Sequence, residues 1–225
     1  RFILFQMTIN VAACIIVLIG AFLGVESPLT VTQMLWVNLI MDTFAALALA
    51  SLPPSNRVMN DKPRARGANI ITKPMTKGIF GVGGFFVVLL FGFIQYFKNE
   101  DITSLTQFSI TDYFSHFFHF GTPKNGLSAY ELSLFFSIFV FLQFWNMFNA
   151  KAYRTGKSTF YNIGKSQGFI LIATVIVIGQ VFITTFGGQM FNVTPLKLTD
   201  WAIIIGATSL VLWTGEILRA IKTEK

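Results

Sequence analysis

Gln33-Met34-Leu35-Trp36-Val37-Asn38-Leu39-Ile40-Met41-Asp42-Thr43-Phe44, continuing into Ala45-Ala46-Leu47-Ala48-Leu49-Ala50, is an apolar run with one carboxylate set in its middle. At helical rise, about 20 such residues cross a hydrocarbon core of about 30 Å, and the stretch 32–50 is of that length. An acid at the centre of a membrane helix costs about 2.5–3.5 kcal/mol even on the permissive insertion scale, so intramembrane acids mark function. Asn38 precedes Asp42 by four residues, which puts the two within about 40° on one helix face. A carboxylate and an amide carbonyl one turn apart offer oxygens to a common point. Hard cations such as calcium take 6–8 oxygens at about 2.3–2.6 Å, so this pair fits part of a cation cage. The competing reading is that both residues only join helices by hydrogen bonds, which membrane proteins also use. The small side chains of Ala45–Ala50 suit close packing inside a bundle.

Five further segments have the same character: 2–24, 78–97, 131–149, 168–186 and 200–219. None alternates with period two, so the expected fold is all-α, a six-helix transmembrane bundle over residues 1–225. Segment 2–24 carries no charge and no cleavage-site signature, which reads as a true span and not a signal peptide. Glu26-Ser27-Pro28, Leu52-Pro53-Pro54 and Gly187-Gly188 punctuate the ends of spans. Composition agrees: the chain is 53% hydrophobic, 16% aromatic and only 12% charged, with a mean hydropathy of +0.63. Soluble domains average about 25% charged, so neither an ordinary soluble globule nor a disordered chain fits. The single cysteine, Cys14, excludes a disulfide framework and a cysteine-based zinc site.

The net charge of +7 is explained by topology. Of the 17 Lys and Arg residues, 14 fall in the loop 51–77, the loop 150–167 and the two ends; only Lys98, Lys124 and Lys197 fall on the opposite face. The positive-inside rule then puts both termini in the cytoplasm, and a nucleic-acid partner is not expected. Weaker polar candidates line other spans: Gln6 and Asn10 in the first, and Gln143, Asn146 and Asn149 in the fourth. They are read as secondary polar contacts to a site or as interhelical hydrogen bonds. Glu216, near the cytoplasmic end of the last span, is expected to snorkel to water. His116 and His119, three apart in the long loop, read as surface aromatics and not a metal site.

The run Met34-Leu35-Trp36-Val37-Asn38-Leu39-Ile40-Met41-Asp42-Thr43-Phe44-Ala45, with Pro53-Pro54 beyond it, resembles the sixth span of calcium-transporting P-type ATPases, most closely the plasma-membrane type. Phe5-Gln6-Met7-Thr8-Ile9-Asn10-Val11 is similar to the fifth span of that branch. Phe141-Leu142-Gln143-Phe144-Trp145-Asn146-Met147-Phe148-Asn149-Ala150-Lys151 is similar to its eighth. Three motifs in order imply the C-terminal half of a P-type ATPase membrane domain, spans five to ten.

The resemblance implies Asn38 and Asp42 as metal ligands. Two-ion members also use a fifth-span Glu, a sixth-span Thr and an eighth-span Glu, where this chain has Ala13, Met41 and Gln143. That implies a single calcium site, with Asn10, Gln143, Gln6 and Asn146 as secondary contacts. Calcium is the implied cargo of an ATP-driven export pump in the plasma membrane. Calcium/manganese secretory-pathway pumps share the Asn-x-x-x-Asp core, so manganese is the alternative ion. A non-ATPase six-span transporter or a scaffold is the alternative class. No catalytic or nucleotide-binding residue is assigned. ATP and magnesium act through domains outside this chain, so the piece alone is expected to be inactive. Its expected partners are the lipid bilayer and the N-terminal half of the pump. The chain ends six residues after Arg219, and no calmodulin-binding tail is expected in it.

Overall fold

Uncharged apolar runs long enough to bury every backbone polar group in their own hydrogen bonds leave the helix as the natural solution in lipid. The computed structural model describes residues 1–25, 27–52, 67, 69–120 and 126–223, and for 40–42 and 222–223 the backbone alone. Arg57, Lys62, Arg64 and Arg66 of the basic loop lie outside these residues, as do Lys124 and Lys225. No strand occurs among the described residues.

The helices are α1 (Phe2–Phe22), α2 (Val31–Val37), a π-helical segment (Asn38–Phe44), α3 (Ala45–Ala50), α4 (Lys73–Asn99), α5 (Ile110–His116), α6 (Ala129–Lys151), α7 (Gln167–Phe186), α8 (Gly188–Phe191), α9 (Leu198–Thr208) and α10 (Leu210–Thr223). Among the described residues, five stretches are single apolar paths long enough to cross a membrane: α1, α4, α6, α7 and the nearly continuous α9–α10. The expected span 32–50 is helical throughout but is broken into α2, the π segment and α3. The third span begins earlier than the hydropathy suggests, because Lys73-Pro74 starts α4 with Pro in the first turn, where its missing N–H costs nothing.

α6 is the axle. Of its apolar window 83% is buried, against 28–44% for the other four spans. Its core-facing residues include Phe135, Phe136, Phe139 and Phe141, all essentially inaccessible. α1 and α4 pack side by side on it, with Gly83 of α4 against the Thr8 carbonyl. α7 supports the broken span from the other side. Trp36 Nε1 donates to Gln180 Oε1 at 3.2 Å, and the Trp36 ring lies over Gly179. At the far end of that span Ser51 rests against Gly168.

Two capping boxes set helix starts: Thr30 with Gln33 on α2, and Ser128 with Glu131 on α6. At the long-loop end of the bundle Asp200, fully buried, accepts from Ser104 Oγ at 2.7 Å, from Leu105 N at 2.9 Å and from the Tyr130 hydroxyl. Glu131, also buried, accepts from Ile102 N at 3.1 Å through Oε1 and from Ser128 N at 2.8 Å through Oε2. These two carboxylates fasten residues 102–105 onto α6 and α9.

The basic-loop end has a second polar centre. Thr159, fully buried, donates its N–H to Glu216 Oε1 at 2.7 Å and accepts at Oγ1 from Arg219 at 2.8 Å. Arg219 also reaches Glu216 Oε1 at 2.6 Å and Asn149 Oδ1 at 2.9 Å. Lys151 donates to the carbonyls of Thr159 and Tyr161. Glu216 therefore does not snorkel to water as the sequence suggests; it is a structural acceptor paired with Arg219. Gly215 makes room for this centre, since a Cβ there would sit 2.1 Å from Asn149 Oδ1.

Candidate functional site

The π segment occupies the middle of the broken span and holds both Asn38 and Asp42. A π helix bonds i→i+5, so passing from α to π and back leaves a carbonyl without its usual helical donor, and such bulges favour functional positions. In a membrane, irregular backbone of this kind is tolerated where it faces protein or a water-filled space. Asn38 and Asp42 are four apart, and the wider π turn brings two such positions closer in angle than an α helix does. The Asp42 side chain lies outside the described residues, as do those of Ile40 and Met41.

Asn38 lines a small cavity of about 10 Å³ together with Ile9 and Ala13 of α1, Met34 and Val37 of α2, and Phe139 of α6. A space of this size holds about one water. Four elements meet there: α1, α2, the start of the π segment and the axle helix. The short Ala13 side chain forms part of the wall.

The secondary candidates divide. Gln143 lies one helical turn from Phe139 on α6, is fully buried, and has no hydrogen-bond partner at Nε2 or Oε1 among the described residues. A buried amide without partners costs about 1–3 kcal/mol. Asn146 is also buried. Asn10 and Gln6 are half-buried on α1, where Gln6 shares the face of Ile9 and Ala13 by helical spacing. Asn149, third in the amide stripe, belongs to the basic-end centre and also donates to Val211 O at 2.8 Å. Among the described residues no three His, Cys, Asp or Glu side chains converge as a metal site. His116 instead pairs with Glu100 at 3.1 Å and packs beside Tyr96.

Sequence reasoning missed Asp200 and Glu131 as buried acids. For Glu131 a signal existed in the Ser-x-x-Glu spacing of a capping box. For Asp200 its position next to Lys197 at the start of a span concealed it as an ordinary interfacial charge. The π segment has no sequence signature at all.

The protein family described as "Cation transporting ATPase, C-terminus" matches residues 26–221. The chain is 34% identical, over 99% of its length and 17% of the relative's, to plasma membrane calcium-transporting ATPase 4 of Homo sapiens. It is 33% identical, over 100% of its length and 19% of the relative's, to plasma membrane calcium-transporting ATPase 2 of Oreochromis mossambicus. It is 31% identical, over 100% and 18%, to plasma membrane calcium-transporting ATPase 1 of Gallus gallus. The chain thus spans less than a fifth of the length of these relatives. With all-helical architecture, membrane-length apolar helices and a family match over most of its residues, the chain belongs to the C-terminal membrane region of the cation-transporting ATPases and is similar to the plasma-membrane calcium type.

Proposed function

We propose that this chain is the membrane half of an ATP-driven calcium export pump, spans five to ten of its membrane domain, and that Asn38 and Asp42 supply oxygens to a single calcium site. The observation that carries this reading is the π-helical interruption in the middle of an otherwise apolar span, which contains both residues and adjoins a water-sized cavity. Transporter sites near the membrane midplane are typically built from such discontinuous helices.

One amide and one carboxylate are too few for calcium, so the remaining oxygens come from freed backbone carbonyls and from parts of the pump outside this chain. Gln143, buried and without a hydrogen-bond partner among the described residues, lies one turn from the cavity wall and offers a further amide oxygen. Ala13 and Gln143 stand where two-ion pumps place carboxylates. Two fewer negative charges in low dielectric disfavour a second divalent ion, which supports one calcium per cycle. An emptied anionic site is costly in the membrane, so protons replace calcium on the return step. ATP hydrolysis belongs to domains outside this chain. The basic loops and both ends face the cytoplasm.

The test is Asp42→Asn in the complete pump. The variant loses calcium-dependent phosphorylation while phosphorylation from inorganic phosphate, which needs no calcium, persists. Calcium affinity equal to that of the parent removes Asp42 from the site.

A further inference from the structure

The charges on α4 fix its depth. Between Lys77 and Lys98 lie 20 uncharged residues, 78–97, which at 1.5 Å per residue match a core of about 30 Å. The long loop does not leave the membrane region cleanly after this helix. It folds back, and α5 packs alongside α4 well below the latter's end. Tyr113 Oη donates to Leu89 O at 2.8 Å. The Phe117 ring lies 5.0 Å from Phe91, and Gln95 Nε2 reaches His119 O at 3.2 Å. Gly92 permits the contact, since a Cβ there would meet the Tyr113 hydroxyl at 2.1 Å. Residues 91–96 lie within about 10 Å of the end of the uncharged stretch, so α5 sits at the depth of the boundary between headgroups and acyl chains.

The sequence of α5 divides around its axis. Ile110, Tyr113 and Phe114 fall on one arc, with Phe117 and Phe118 in the turn just past the helix end, and Thr111, Asp112, Ser115 and His116 fall on the other arc. Tyr113 and Phe117 turn against α4. Ile110 and Phe114, one turn apart on α5, and Phe118, two residues past its end, are left 66%, 66% and 77% exposed. The α4 face that α5 covers is the one that carries Phe85, seven residues before Gly92, and Phe85 is itself 55% exposed. The stripe on α5 therefore continues an outward apolar surface of a membrane span, while the polar arc holds His116 beside Glu100 at the end of α4.

We propose that α5 is an interfacial helix lying in the leaflet at the long-loop end, with Ile110, Phe114 and Phe118 seated against lipid acyl chains. The depth of the α4 contacts and the continuity with Phe85 select lipid as the occupant over a second protein.

The test is site-directed spin labelling of the complete polypeptide in phosphatidylcholine vesicles, on a background in which Cys14 and any other accessible cysteine are replaced. Labels are placed one at a time at Ile110→Cys, Phe114→Cys and Phe118→Cys, with Thr111→Cys and Ser115→Cys as the opposite arc; all five positions are exposed and tolerate a label. The ratio of collisions with oxygen, which concentrates in acyl chains, to collisions with a water-soluble nickel chelate is severalfold higher at 110, 114 and 118 than at 111 and 115. Equal ratios on the two arcs overturn the proposal and place the helix in water. Stripe labels that are immobile and closed to both reagents overturn it in favour of a covering protein surface.

Discussion

Removing the Asp200 carboxylate tests how much of the hold on the long loop rests on one of its two buried carboxylates. In Asp200→Ala three donors lose their partner together: Ser104 Oγ, Leu105 N and the Tyr130 hydroxyl. Hydrogen bonds to a charged acceptor contribute about 1.5–3 kcal/mol each. The two hydroxyls can rotate toward other acceptors, but the Leu105 N–H is fixed by its backbone in a buried position. The expected loss is about 3–5 kcal/mol, below the simple sum because the three act on one group. At about 2–4 °C per kcal/mol for a chain of this size, the melting temperature in detergent falls by about 10 °C. Asp200→Asn behaves differently. Its carbonyl can retain Ser104 and Leu105, which share a single oxygen of Asp200, and only the Tyr130 contact must reverse. That reversal is awkward, because the Tyr130 oxygen already accepts from Lys197 N at 3.1 Å, and it costs about 1–2 kcal/mol. Thermal melts read by size-exclusion fluorescence, with hydrogen exchange at residues 102–107, separate the two variants. If Ala and Asn shift the melt equally, or neither changes exchange at Leu105, the carboxylate is not the fastener described.

Glu216→Ala removes the acceptor of the buried Thr159 N–H and the partner of Arg219, so residues 152–166 open more often; trypsin cleavage after Arg154 or Lys157 quickens about tenfold per 1.4 kcal/mol lost, and an unchanged cleavage rate would count against the cluster. Tyr113, outside the spans, has its hydroxyl pushed up to about 12 by burial, so the folded state holds this proton more tightly than the unfolded chain, whose phenols ionise near pH 10. Its contribution to stability is whole below about pH 10 and is lost as pH rises from about 10 through 12; in Tyr113→Phe that alkaline slope of the melting temperature flattens, and the phenolate absorbance step near pH 12 shrinks.

Much of this architecture is written in local chemistry. Uncharged stretches such as 78–97 must become helices in lipid, and five of six expected spans are single helical paths whose cores match the apolar runs. The sixth, 32–50, was legible as a span but not as α–π–α, because nothing in Asn38–Phe44 distinguishes i→i+4 from i→i+5 bonding; tertiary contacts decide that. The spacing of Asn38 to Asp42 can be read from the sequence, and the cavity beside Asn38 cannot, since it depends on Ala13 and Phe139 arriving from other helices. Glu216 illustrates the opposite failure. Its place near a helix end suggested a solvated charge, while the buried Thr159, distant in sequence, joins the neighbouring Arg219 in converting it into an internal acceptor. Asp200 was hidden for the same reason: its donors come from 104, 105 and 130.

The clasp of the broken span onto α7 has a mechanical consequence. Trp36, bonded to Gln180, pins one flank of Asn38–Phe44, and Ser51 against Gly168 steadies the other, so a single helix splints both sides of the interruption. A rod held at its two ends by one splint has little freedom to slide along it. Changes in the coil between the grips are then left to local rewinding and swivel, and the stroke available to this region is set by a handful of backbone torsions and not by travel of a whole cylinder.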